Sequence, residues 1–118
     1  MLSNLPSDID IYIAFGYTDM RRSIDGLVTL VQQSFQLNPY SNSIYLFCGR
    51  KSDRLKALLW EGDGFLLLYK RLEDGRFRWP RSKEEVLRIS PQQYRWLLEG
   101  LSIEQPKAVR KIGIKKVV

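Results

Sequence analysis

IYLFCGRKSDRLKALLWEGDGFLLLYKRLEDGRFRW, residues 44–79, decides the fold, because its apolar residues come in short runs broken by turn formers. The runs are Ile44–Cys48, Leu55–Trp60, Phe65–Leu72 and Arg76–Trp79, and the breaks are Gly49–Asp53, Glu61–Gly64 and Asp74-Gly75. Short apolar runs bounded in this way read as strands joined by hairpins, so the stretch predicts an antiparallel meander. Asp74-Gly75 is the clearest turn, since a type I′ hairpin needs positive φ at both central residues and Asp-Gly tolerates it. Phe77 and Trp79 alternate with Arg76 and Arg78, which predicts a last strand with one buried and one cationic face. That cationic face is the first place to expect phosphate contacts.

Toward the N-terminus, Asp10–Gly16 alternates Ile11, Ile13 and Phe15 with Tyr12 and Ala14, as a strand does. Thr18-Asp19 then offers cap oxygens for a helix over roughly 19–37, whose Met20, Ile24, Leu27, Val28, Val31 and Phe35 recur at steps of three and four. Gly26 inside it costs about 1 kcal/mol relative to Ala, and Asn38-Pro39 ends it. Toward the C-terminus, Ser82–Ser90 has two readings: a capping box of Ser82 with Glu85, or a short strand at Val86–Ile89. A second helix follows, with Ser90 as cap, Pro91 in the first position, Gln93 completing a capping box and Gly100 as terminator. Tyr94, Leu97, Leu98 and Leu101 form its expected buried side, with Gln92, Arg95 and Glu99 outward. The expected fold is therefore α+β: an antiparallel meander of four to five strands packed against one long N-terminal helix and a shorter C-terminal helix.

A chain of 118 residues with 44% hydrophobic and 27% charged residues fits one globular domain. Residues 1–103 are assigned to it. Residues 104–118 form a basic tail in which Val109, Ile112, Ile114 and Val117 are too few for a core of their own, so a flexible arm is expected. No apolar run approaches the roughly 18 to 20 residues of a membrane-spanning helix. The first residues lack a signal-peptide pattern, so a cytoplasmic protein is expected. One cysteine, Cys48, excludes an internal disulfide and a four-cysteine zinc cluster. The complete lack of histidine removes the commonest general base and zinc ligand. No enzyme activity, cofactor or metal is expected.

The net charge of +6 is uneven. Residues 1–49 carry Asp8, Asp10, Asp19 and Asp25 against Arg21 and Arg22, whereas residues 50–81 hold nine basic against five acidic side chains. Lys107, Arg110, Lys111, Lys115 and Lys116 face only Glu104 in the tail. Such asymmetry points to a polyanionic partner.

Three stretches carry a family resemblance. They are Thr18-Asp19-Met20-Arg21-Arg22-Ser23-Ile24-Asp25-Gly26-Leu27, the block from Leu46-Phe47-Cys48-Gly49-Arg50 through Trp60-Glu61-Gly62-Asp63-Gly64-Phe65 to Gly75-Arg76-Phe77-Arg78-Trp79-Pro80, and Leu97-Leu98-Glu99-Gly100-Leu101. Together they cover about residues 5–103 and resemble the TnpB, or Orf2-like, accessory proteins of IS66-type insertion sequences. The resemblance implies a protein encoded beside a separate large transposase and required for transposition. An unrelated RNA-guided nuclease shares the TnpB label, but this chain is much too short for it. Ser23 departs from the family pattern, in which Gly is usual, and touches only local helix geometry.

Arg50, Lys51, Arg54, Lys56, Lys70, Arg71, Arg76 and Arg78, interleaved with Trp60, Tyr69, Phe77 and Trp79, make a candidate DNA-binding face: cations release counterions from the phosphate backbone and rings stack on bases. The competing reading puts the rings in the core and the charges on a merely solvated face. Arg21 and Arg22 oppose the dipole at the expected helix start, which an anion would offset; a local pair with Asp19 or Asp25 would do the same. Lys111, Lys115 and Lys116 extend the candidate set into the tail. Asp53, Glu61, Asp63 and Asp74 read as turn formers rather than metal ligands. Two functions follow. In one, the protein holds DNA at transposon ends and contacts the transposase or a second copy of itself. In the other, it is an adaptor that activates or stabilises the transposase without touching DNA.

Overall fold

Every residue of Ser43–Cys48 is buried, so this strand, β2, must be covered on both faces. The computed structural model, which describes residues 2–81 and 85–106, shows how. Strands β1 (Asp10–Ala14), β2, β3 (Arg54–Trp60), β4 (Phe65–Arg71) and β5 (Val86–Ile89) form one sheet in the order β4-β3-β2-β1-β5. Helix α1 (Ile24–Thr29), continued by a π-helical stretch Leu30–Ser34, lies on one face, and α2 (Pro91–Leu98) follows β5. Alternation divides the core accordingly. Ala14, Tyr45, Phe47 and Leu58 pack against Leu27, Val31 and Phe35 on the α1 face. Ile11, Ile13, Ile44, Leu46, Leu55 and Ala57 pack on the other face against Phe77, Trp79, Tyr94, Leu97 and Ile103.

The α+β class holds, but the sheet is mixed where a wholly antiparallel one was predicted. β1 runs parallel to β2, in the register Ile11↔Ile44 and Ile13↔Leu46, while β2–β3, β3–β4 and β1–β5 are antiparallel. The physical reason is the connection: parallel neighbours need a crossover, and α1 provides it.

The predicted long helix over 19–37 is also corrected. It comprises six α-helical and five π-helical residues, eleven in all, and starts only at Ile24. Its apolar face is as expected, with Leu27 and Val31 fully buried. Its first turn is lost because Thr18–Arg22 is committed elsewhere. Thr18 N donates to Cys48 O at 2.8 Å. Asp19 Oδ1 accepts from Arg21 N at 2.9 Å. The ammonium of Lys56 donates to the carbonyls of Met20 and Arg22, both at 2.7 Å. Ser23, at the cap position, makes no side-chain cap bond.

Arg76–Trp79 is not a strand, and Asp74-Gly75 does not make the expected hairpin, although Gly75 has φ +79°. Leu72 N donates to Asp53 O and Phe77 N to Ser52 O, each at 2.7 Å, so both sides of the loop are fastened to the β2–β3 turn rather than to each other. The segment crosses the sheet with Phe77 and Trp79 buried, and the Trp79 indole donates to Ala14 O at 2.7 Å. Of the two readings at 82–90, the strand at Val86–Ile89 forms, whereas Ser82 lies outside the described residues. α2 keeps its predicted capping box, with Ser90 Oγ accepting from Gln93 N at 3.1 Å and Gln93 Oε1 accepting from Ser90 N at 2.9 Å. Tyr94 and Leu97 are buried as expected, but Leu101 is 41% exposed because the chain turns away at Gly100, φ +81°. The expectation of a flexible tail concerns mainly 107–118, outside the described residues.

Candidate functional site

Because β1 and β2 are parallel, the segments that follow them, Phe15–Ser23 and Gly49–Asp53, emerge at the same end of the sheet. The antiparallel strands bring the start of β3 and the end of β4 to that end, where Arg54 stands opposite Arg71. Gly49 N donates to Arg54 O at 3.1 Å and Ser52 N to Gly49 O at 2.9 Å, and Ser52 takes φ +60°, which closes a tight turn. A Cβ on Gly49 would lie 2.7 Å from Met20 Cγ, so the two segments meet as closely as this position allows.

A pocket of about 470 Å³ opens between them, with Arg21, Arg50, Lys51 and Arg54 in its wall beside Asp19 and Asp53. The expected local pairing of Arg21 with Asp19 is present: guanidinium nitrogens lie 2.8 to 3.2 Å from both carboxylate oxygens. These bonds, with that from Arg21 N, hold the Asp19 carboxyl down at about 2. Asp19 is thus consumed, leaving Arg50, Lys51 and Arg54 against Asp53 alone. Tyr17 also lines the pocket, and the Arg81 guanidinium sits 4.6 Å from its ring centre.

The structure gathers many of the expected cations, but at an end of the sheet rather than on a face. Arg50, Lys51, Arg54 and Arg21 share the pocket wall. Arg71 adjoins Arg54 and carries an ion pair to Glu73 at 3.1 Å. Arg76 and Arg78 are exposed on either side of Phe77, whose amide is tied to the β2–β3 turn. Arg22 is exposed, its guanidinium 3.4 Å from Gly26 O. Two expectations change. Lys56 is spent on the carbonyls before α1, and Lys70 points to the opposite sheet face from Arg71, beside Leu2, Ser3 and Leu98. Lys111, Lys115 and Lys116 lie outside the described residues.

The aromatic platforms divide as well. Phe77 and Trp79 are core, whereas Tyr69 is 54% exposed with Lys56 Nζ 5.7 Å from its ring centre. Trp60 lies at the other end of β3, roughly 20 Å from Arg54 at about 3.4 Å per residue. There it packs edge-on to Tyr40 at 5.0 Å and Phe65 at 4.9 Å, and Tyr40 is 51% exposed. Tyr40 lies outside every periodic segment, so no pattern marked it, just as nothing marked Tyr17 or Arg81. Asp53 and Asp74 lie toward the cationic end and Glu61 and Asp63 in the β3–β4 turn; no group of three or more potential metal ligands gathers among the described residues. Cys48 is fully buried and its thiol is pushed up to about 12, mainly by burial.

With this geometry in place, the comparisons with known proteins are specific. A family model described as IS66 Orf2 like protein matches residues 9–108. An uncharacterised protein, y4hO, from Sinorhizobium fredii (strain NBRC 101917 / NGR234) is 38% identical over 105 residues, covering 87% of this chain and 91% of its own. A second from the same strain, y4jC, is 37% identical over 91 residues, covering 77% and 78%. No solved structure matches the chain significantly.

Proposed function

The chain belongs to the family of IS66 Orf2-like proteins, and from that premise we propose that it is an accessory protein of insertion-sequence transposition that binds DNA with its cationic end and acts beside a separate transposase. The observation that carries the DNA reading is the juxtaposition of Arg50, Lys51, Arg54 and Arg71 where two loops and two strand ends meet. Like charges placed together cost stability. A polyanion offsets that cost by taking up the charge and releasing its own counterions. Phosphate contacts of this kind supply affinity and orientation, not base identity.

The adaptor reading is supported by a different observation, the Tyr40–Trp60–Phe65 cluster at the other end of the sheet, in which Tyr40 is exposed and Trp60 and Phe65 are partly buried. Aromatic residues of these types anchor protein interfaces. The two readings combine in one molecule, with DNA at the cationic end and the transposase at the aromatic end.

The test is an anisotropy titration with terminal DNA of the element at several salt concentrations, with and without Arg76→Glu and Arg78→Glu. Affinity should fall steeply with salt, and the double substitution should weaken it while the unfolding midpoint stays put, since both side chains are exposed. Absence of DNA binding together with co-purification of the transposase would leave the adaptor reading alone.

A further inference from the structure

Among the described residues, two buried side-chain polar atoms lack a hydrogen-bond partner, Asp53 Oδ1 and Arg54 Nε. They belong to consecutive residues, and both residues line the pocket between Tyr17–Arg21 and Gly49–Arg54. Buried polar groups in folded chains are nearly always partnered, because an unmade bond forfeits the hydration given up on burial. Asp53 Oδ1 can only accept and Arg54 Nε can only donate, so a ligand that answers both brings a donor and an acceptor. A phosphate alone does not fit: it brings acceptors only, and Asp53 repels it.

The Watson–Crick edge of every nucleobase carries a donor beside an acceptor, and in a duplex the opposite strand occupies that edge. Arg50 and Lys51, both exposed on the pocket rim, are available to the phosphate of the same nucleotide. We propose that this pocket holds one unpaired nucleotide, its base edge donating to the Asp53 carboxylate and accepting from the Arg54 guanidinium, its phosphate against Arg50 and Lys51. Both orphan atoms are covered in the free chain, so the two side chains turn toward the pocket as the base enters. The inference rests on the nucleic-acid reading above and adds to it the strand state of the DNA.

Asp53→Ala separates this arrangement from a merely cationic surface. Deleting a negative charge from a cationic surface tightens binding to any polyanion, whereas deleting the acceptor of a base loosens binding to unpaired strands. The experiment titrates the full chain with a fluorescein-labelled single strand and with a blunt duplex of the same sequence. Asp53→Asn, which keeps the shape of the side chain, stands in should the alanine variant fail to give a native circular-dichroism spectrum. The wild type should prefer the single strand, and Asp53→Ala should weaken single-strand binding by roughly tenfold while leaving duplex binding unchanged or tighter. Equal wild-type affinity for both DNAs, or a substitution that tightens both alike, overturns the nucleotide pocket while DNA binding stands. No binding to either DNA at low salt overturns the nucleic-acid reading itself, and the pocket with it.

Discussion

Arg54 and Arg71 stand directly opposite one another on adjacent antiparallel strands, two guanidinium groups at one register position of the sheet. Like charges in that relationship destabilise a sheet. Glu73 draws off the Arg71 guanidinium, with Nε and NH2 each 3.1 Å from a carboxylate oxygen, and raises its pKa mainly through those bonds. That pair is exposed and screened, so it offsets the repulsion only in part. Arg71→Gln should therefore raise the urea midpoint slightly, as it removes the repulsion toward Arg54 and loses only the exposed, screened pair with Glu73. The same change should weaken DNA binding and flatten the dependence of log K on log salt by about one unit. A flattened slope with no gain in stability would locate Arg71 at the DNA but remove the strain argument. An unchanged slope would take Arg71 out of the interface.

Lys56 behaves differently although it sits two residues along the same strand. Its ammonium donates to Met20 O and Arg22 O, both at 2.7 Å, and so pins the segment that leads into α1. Charge-assisted hydrogen bonds of this kind contribute about 1.5–3 kcal/mol each when shielded, less at the exposed second carbonyl. Lys56→Met should destabilise the fold by about 1–3 kcal/mol, read from urea unfolding, and should leave the salt slope of DNA binding nearly unchanged. A slope that drops by about one with no loss of stability would return Lys56 to the phosphate-contacting set.

What could be read along the chain and what could not divide on whether the deciding contact is local. The α2 cap was legible because Ser90 and Gln93 are three residues apart and satisfy each other. The buried stripe of α1 was legible because Leu27 and Val31 are one helical turn apart. The start of α1 was not, because the lysine that takes the carbonyls before it lies 34 and 36 residues away in sequence. Parallel pairing of β1 with β2 was hidden for the same reason: a strand's alternation states which residues share a face, not which strand lies beside it. Arg76–Trp79 misled because a single extended segment laid over a sheet alternates buried and exposed residues as a strand does. Its amide and indole bonds go to Ser52 and Ala14 instead of a ladder. At the site, the basic excess of residues 50–81 was visible, but its concentration with Arg21 at one end depends on where β1 and β2 leave the sheet.

Gly49 ties the two loops of the pocket together, since a Cβ there would sit 2.7 Å from Met20 Cγ. Met20 Cγ is close to its own backbone, not at a flexible tip, so the clash cannot be relieved by a terminal rotation alone. Gly49→Ala should cost about 1–3 kcal/mol through overpacking. Met20→Ala in the same chain should recover much of that loss, and the double-mutant cycle should return a coupling well above the roughly 0.5 kcal/mol expected of independent sites. Additive effects would show that the loops do not press on each other in solution.

Cys48 reports on whether the sheet closes as tightly at its cationic end as the packing indicates. The residue is fully buried at the last position of β2, its thiol 3.6 Å from Gly49 O, and burial lifts it from its ordinary 9.0 to about 12, with Asp53 adding to the rise and a bond to Ser52 working against it. A group that holds its proton more tightly in the folded than in the unfolded chain stabilises the fold fully below its unfolded value. That contribution is lost as pH rises from about 9 toward 12. The urea midpoint should therefore fall across this window, and Cys48→Ala should remove part of the fall. A remainder will persist, because burial raises Tyr45 and Tyr94 as well. At pH 8 the native chain should resist iodoacetamide and the urea-unfolded chain should react readily, since only the thiolate is nucleophilic. Rapid labelling of the native chain would mean that the β2–β3 turn opens, and the pocket walls built on Gly49–Arg54 would open with it.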